Sequence, residues 1–277
     1  MPILINLTFD LSQLIGLAAS LLIGLSLGLI GGGGSILTIP VLVYLFGVDP
    51  VLATAYSLFI VGVTSAVGAF PKYQQGLVNL KTGLLFGAPS ITMIFLTRKF
   101  IFPAIPAAII TGDNFTLTKS VFIMLLFSML MIAASISMIR NGKAQTKASV
   151  ARTFSYPLIV AEGALVGLLA GLVGAGGGFL IIPALVLLAK LPMKEAIGTS
   201  LLIITTNSLI GFLGDLSHQK MDWTLLTLVS GMAMLGILIG NRLSNKIDGQ
   251  KLKKGFGWFV LVMGIYILLK EGMSGSH

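Results

Sequence analysis

Two stretches of this sequence hold residue types that can bind an anion without a charged side chain. The first is Gly31-Gly32-Gly33-Gly34-Ser35, with Pro40 following; the second is Gly174-Ala175-Gly176-Gly177-Gly178, with Pro183 following. Each lies inside a strongly apolar run. A glycine in a helix interior costs about 1 kcal/mol relative to alanine, so such clusters read as helix breaks. A broken helix bares backbone N–H groups and the positive end of a peptide dipole, and both favour an anion. Pro40 and Pro183 disfavour the α conformation at Ile39 and Ile182, so non-helical backbone is expected over 31–39 and 174–182. Gly33, Gly34, Ser35, Gly176, Gly177 and Gly178 are the residues assigned to the two breaks. Glycines also let helices pack closely, a reading that suits Gly24, Gly28, Gly167 and Gly171. It does not readily explain four consecutive glycines followed by proline and repeated elsewhere.

A second polar layer lies downstream. Ser57, Thr64 and Ser65 fall on one helix face by their spacing, and so do Ser200, Asn207 and Ser208. Such hydroxyls can equally bond back to their own helix or bridge to a neighbour. Asn207 carries more weight, because an amide buried in hydrocarbon needs partners. Glu162 is the exception to a near absence of intramembrane charge. It reads either as a proton relay or gate or as an interfacial residue near Arg152. His218 is a proton-sensitive group in a stretch, Asp215 to Lys220, that reads as a loop. Lys72 aligns with Asp215 across the repeat described below, and the two are expected on opposite faces, unable to pair. Two soluble phosphate motifs fail. The second glycine cluster lacks the spacing and acidic residue of a dinucleotide fingerprint, and the first lacks the lysine of a P-loop.

The elements that must position these residues are membrane helices. Of 277 residues, 56% are hydrophobic and 10% charged, against roughly 25% charged in soluble domains. Apolar runs cover about 14–30, 36–46, 51–70, 80–97, 119–139, 157–173, 179–189, 196–214, 223–240 and 255–269. A membrane-spanning helix needs about 17–25 apolar residues, so 36–46 and 179–189 are too short to cross alone. The N-terminus has no basic residue ahead of its apolar run and does not read as a cleaved signal peptide. Absence of cysteine excludes disulfides, thiolate metal sites and cysteine nucleophiles. The net charge of +9 reflects basic cytoplasmic loops better than a nucleic-acid surface. No metal site and no cofactor are expected.

The chain is written twice. A shift of 143 positions lays Gly31 on Gly174, Pro40 on Pro183, Ala53 on Ala196, Ser57 on Ser200, Ser65 on Ser208 and Gly68 on Gly211. Between Gly24 and Gly68, 19 of 45 positions are identical. The expected organisation is an N-terminal repeat over 1–140, a basic linker over 141–152 and a C-terminal repeat over 153–277. Counting Lys and Arg with the basic loops inside places thirteen within and five outside: Arg98, Lys99, Lys119, Lys220 and Lys270. That solution makes the repeats inverted, with both termini outside and the linker cytoplasmic. Arg98 and Lys99 fit it least well. The fold class expected is an all-α polytopic membrane protein of about 8–10 transmembrane segments, with Gly-broken helices or hairpins. Phe100 to Asp113, interrupted by Pro103 and Pro106, reads as an interfacial connection with no counterpart in the second half.

Both glycine clusters, each ending in proline and followed by an Ala-x-x-x-Ser element (Ala53 to Ser57, Ala196 to Ser200), resemble the TauE/SafE permease family of sulfite and sulfonate exporters. The similarity extends over almost the whole chain. Ser35 stands where the second copy has Gly178, and Asn79 where it has Asp222. The resemblance implies export of sulfite or an organosulfonate such as sulfoacetate, although the family's cargo is diverse.

The expected function is secondary transport of a small sulfur-containing anion across the cytoplasmic membrane by alternating access. The backbone of the two breaks, with Ser57, Ser65, Ser200, Asn207 and Ser208, would replace the anion's water shell, and no buried Arg or Lys is expected in the site. An interior-negative potential drives an anion outward by about 2.3 kcal/mol per charge per 100 mV. Transport of another solute, including a metal cation, is the alternative. A Ser/His hydrolase using Ser35 and His218 lacks a nucleophile elbow and an orienting acid. The partners expected are a small anion and the lipid bilayer, without nucleic acid; a homodimer is left open.

Overall fold

The computed structural model describes residues 11–112, 115–140, 156–187, 189–216, 221–244 and 249–274. Helices dominate it. In the first half they are α1 (Leu11–Ile30), α2 (Gly34–Tyr44), α3 (Pro50–Gln74), α4 (Leu80–Leu96), the short α5 (Phe102–Ala104) and α6 (Lys119–Arg140). In the second they are α7 (Tyr156–Val173), α8 (Gly178–Leu187), α9 (Met193–Asp215), α10 (Trp223–Leu243) and α11 (Gly249–Ser274). Among the described residues, five helical segments are long and apolar enough to cross a membrane: Pro50–Gln74, Leu80–Ala104, Lys119–Arg140, Met193–Asp215 and Trp223–Leu243. The chain is an all-α polytopic membrane protein.

Local chemistry sets the element ends. Pro50 opens α3, and the Asp49 carboxylate accepts from the N–H groups of Val51 and Leu52. Asn79 caps α4 by accepting from Thr82 N–H, and Asp222 caps α10 by accepting from Thr224 and Leu225. These two residues are repeat mates. Either an amide or a carboxylate oxygen satisfies a helix N-terminus, which accounts for the Asn/Asp difference between the copies.

Two sequence expectations need correction. Non-helical backbone does not extend over 31–39 and 174–182: α2 begins at Gly34 and α8 at Gly178, with Pro40 and Pro183 inside them. A proline forfeits one helical hydrogen bond, and burial of Ile39, Pro40 and Ile182 holds the helices through that defect. The breaks are therefore three or four residues long. The connection after α4 is also more structured than its prolines suggest. Thr97–Ile101 forms a π-helical turn, and Ala108–Gly112 (β1) pairs antiparallel with Phe115–Thr118 (β2). The β-branched and aromatic content of Ile109, Ile110, Thr111, Phe115 and Thr116 suits a short hairpin.

Contacts between the halves come in pairs that exchange under the 143-residue shift. A Cβ on Gly24 of α1 would collide with the Ala233 carbonyl of α10, and one on Gly167 of α7 with the Ser90 carbonyl of α4. The Asn79 N–H donates to Thr199 Oγ1 at 2.9 Å, and the Asp222 N–H donates to the Tyr56 hydroxyl at 2.6 Å. Gly68 of α3 packs on Leu201 of α9, and Gly211 of α9 on Leu58 of α3. Because these last pairs run in opposite sequence order, α3 and α9 are antiparallel. So are α6 and α11, where Gly257 meets Met138 and Gly264 meets Met131. The glycines at these crossings admit backbone approach that any larger residue would block.

Candidate substrate-binding site

The two breaks meet. A Cβ on Gly32 would overlap the Gly178 carbonyl, and one on Gly178 would lie 3.0 Å from Gly32 Cα. Gly31, Gly174, Gly176 and Gly177 hold φ of +80°, +78°, +62° and +74°, the left-handed region that glycine enters without steric cost. Gly33 precedes α2 and offers no side chain to cap it. Helix α2 has 11 residues and α8 has 10, or about 15–17 Å of rise each. That is half of the roughly 30 Å hydrocarbon core, so both are half-helices starting where the breaks touch.

Each break leans on the long helix of the opposite half. Ser200 of α9 donates to the Gly31 carbonyl at 3.0 Å and shares its hydrogen with Ile197 O. At the matching place, Gly174 packs against Thr54 of α3. Gly176 lies against Ser208 Oγ, and Gly177 against Ala170 and Val166. Ser35 donates to Gly32 O within its own turn, and Gly34 abuts the Ile23 carbonyl of α1. Ser35 and Ser200 thus hold the first break in shape.

The remaining polar residues are placed differently. Ser57, Thr64, Ser65 and Ser208 are fully buried, and their hydroxyls have no hydrogen-bond partner. Asn207 Nδ2 donates to Ser90 Oγ at 2.7 Å, while its Oδ1 is unpartnered. A buried polar group without a partner costs about 1–3 kcal/mol, so a row of them on the paired helices α3 and α9 is a concentration of unused hydrogen-bonding capacity. Half-buried Glu162 lies on α7 with Oε2 unpartnered. His218 lies outside the described residues. Lys72 donates to Ser244 Oγ at 3.1 Å, whereas Asp215 pairs with a different cation.

That cation corrects the expectation that no buried Arg or Lys would occur here. Arg98, on the π-helical turn, is fully buried. Its Nη1 donates to Asp215 Oδ2 and to Thr54 Oγ1, each at 3.0 Å, and its Nη2 packs against Gly174. The sequence carried one sign of this: Arg98 strained the charge count of the loops. A basic residue closing an apolar run reads as an interfacial anchor, and only the fold shows it turned inward.

Half-helices meeting inside an apolar helical bundle define a membrane protein of the transporter class. The comparisons agree: the family model described as sulfite exporter TauE/SafE matches residues 16–267, and the chain belongs to that family. A "Probable membrane transporter protein" of Xylella fastidiosa is 30% identical over 270 residues, covering 95% of this chain and 97% of that one. The Bacillus subtilis protein "Probable membrane transporter protein YdhB" is 28% identical over 249 residues, covering 89% and 96%. A second B. subtilis relative, "Probable membrane transporter protein YunE", is 29% identical over 263 residues, covering 87% and 89%. No solved structure matches the chain significantly.

Proposed function

We propose that this membrane transporter exports a small sulfur-containing anion, sulfite or an organosulfonate, from the cytoplasm across the cell membrane. The carrying observation is the meeting of Gly32 and Gly178 at the starts of two half-helices, beside helices that bury unpartnered hydroxyls at Ser57, Ser65 and Ser208. Backbone N–H groups of the breaks and these hydroxyls can replace an oxyanion's water shell. Paired broken helices from two repeats are the usual setting of a transporter's midplane site. The repeats, 1–140 and 153–277, are inserted in opposite orientations about the cytoplasmic linker 141–152, an arrangement supported by the antiparallel run of the matched helices α3 and α9. Access alternates as one repeat rocks against the other. The sulfur cargo rests on the family's description; the interior-negative potential supplies the outward drive for an anion.

Removing unpartnered hydroxyls separates substrate binding from packing. A Ser65→Ala/Ser208→Ala variant loses no hydrogen bond of the folded protein, so its thermal stability is expected to equal or exceed wild type. Sulfite or sulfoacetate flux in reconstituted vesicles is expected to fall at least about tenfold, as for the loss of about 1.4 kcal/mol of solute contacts. Wild-type flux in this variant contradicts the proposal.

A further inference from the structure

We infer that Arg98 is an anion-binding residue of this transporter, and that the edge of its guanidinium formed by Nε and Nη2 receives two oxygens of an oxyanion. The inference deepens the anion reading above and rests on it. Arg98 is fully buried, yet only Nη1 has protein partners, Asp215 and Thr54. Nε and Nη2 have none. These two nitrogens lie on the same side of the planar group, where their N–H bonds run parallel and match two oxygens of a sulfonate, sulfite or carboxylate. An arginine buried for structure alone would be expected to use that fork, since a buried charge needs its hydrogen bonds satisfied.

The surroundings fit a ligand site rather than a sealed ion pair. Nη2 lies 2.5 Å from where a Cβ on Gly174 would sit, so only glycine, here at a φ of +78°, admits the guanidinium edge at this break. Thr97, the residue before Arg98, is also fully buried with an unpartnered hydroxyl. Both sit on the π-helical turn Thr97–Ile101, a defect found often at functional sites. The turn has no twin: the repeat mate of Arg98 is Asn241, within regular α10, and it donates to Gly68 O. The Phe102 ring lies 4.5 Å from Arg98 Cζ and 4.1 Å from Lys119 Nζ, which brings a second cation near. Asp215 offsets one positive charge, so an arriving anion meets an oriented fork in a weakly positive setting and can leave again.

The test is direct binding to purified, detergent-solubilised protein, with sulfite, sulfoacetate, acetate and bromide as probes. Arg98→Lys keeps the charge beside Asp215 and removes the fork. It is expected to weaken every oxyanion that wild type binds at least tenfold and to lower oxyanion-over-bromide selectivity. Should that variant fold poorly, Arg98→Gln/Asp215→Asn removes both charges together and is expected to show the same loss. Unchanged affinities in a folded variant overturn the assignment and leave the sulfur cargo standing. Arg98-dependent binding of acetate without sulfite or sulfoacetate supports the assignment and removes the cargo. Failure of wild type to bind any oxyanion overturns both.

Discussion

Gly32→Ala probes the contact on which the site depends. The added Cβ would overlap the Gly178 carbonyl oxygen and lie 2.5 Å from the carbonyl carbon and 3.1 Å from Ile182 Cδ1. Two of these atoms are backbone, so no rotamer change relieves the clash. The breaks must separate by about 1 Å, and overpacking of this kind costs about 1–3 kcal/mol. If that strain falls on the states that close around substrate, flux drops by about 5- to 150-fold, since 1.4 kcal/mol is a factor of ten. Gly231→Ala is the matched control. Gly231 lies in α10, where a Cβ would meet open space beyond its own helix backbone, so alanine there is expected to stabilise by about 0.5–1 kcal/mol. Thermal unfolding in detergent and tracer flux in proteoliposomes read both variants. Gly32→Ala with wild-type flux and wild-type unfolding temperature would refute the claim that the two breaks touch.

Two further outcomes are expected. The chain has no cysteine, so single cysteines at Asn141 and Ser217 can be probed with an impermeant thiol reagent; the inverted arrangement predicts labelling from opposite faces, and labelling of both from one face contradicts it. Asn79→Asp keeps the α4 cap and should leave unfolding nearly unchanged, whereas Asn79→Ala should cost about 1 kcal/mol, measured by denaturation.

The sequence was most legible where chemistry left few alternatives. Hydrophobic runs of membrane length marked the long helices, and the glycine clusters marked the breaks at Gly31 and Gly174. The 143-residue shift marked the two copies, and the structure adds that their N-caps exchange partners, Asn79 N–H with Thr199 and Asp222 N–H with Tyr56. Prolines misled: Pro40 and Pro183 announced non-helical backbone, but burial carried the half-helices through them. Ser35 was assigned to the first break and Ser200 to the downstream polar layer, yet both hydroxyls bond to carbonyls of the first break, Gly32 and Gly31, a distinction that spacing cannot draw. Arg98 was illegible as a buried group because its burial depends on a π-helical turn and on Asp215, 117 positions away. Neither leaves a periodic trace.

The central claim is that an anion crosses the membrane through the joined breaks. Purified protein in liposomes loaded with radiolabelled sulfite or sulfoacetate, under an interior-negative potential, tests it most directly. Release that requires wild-type protein and drops sharply in Gly32→Ala is the predicted result. No release of either anion, with transport of a cation or neutral solute by the same vesicles, would contradict it.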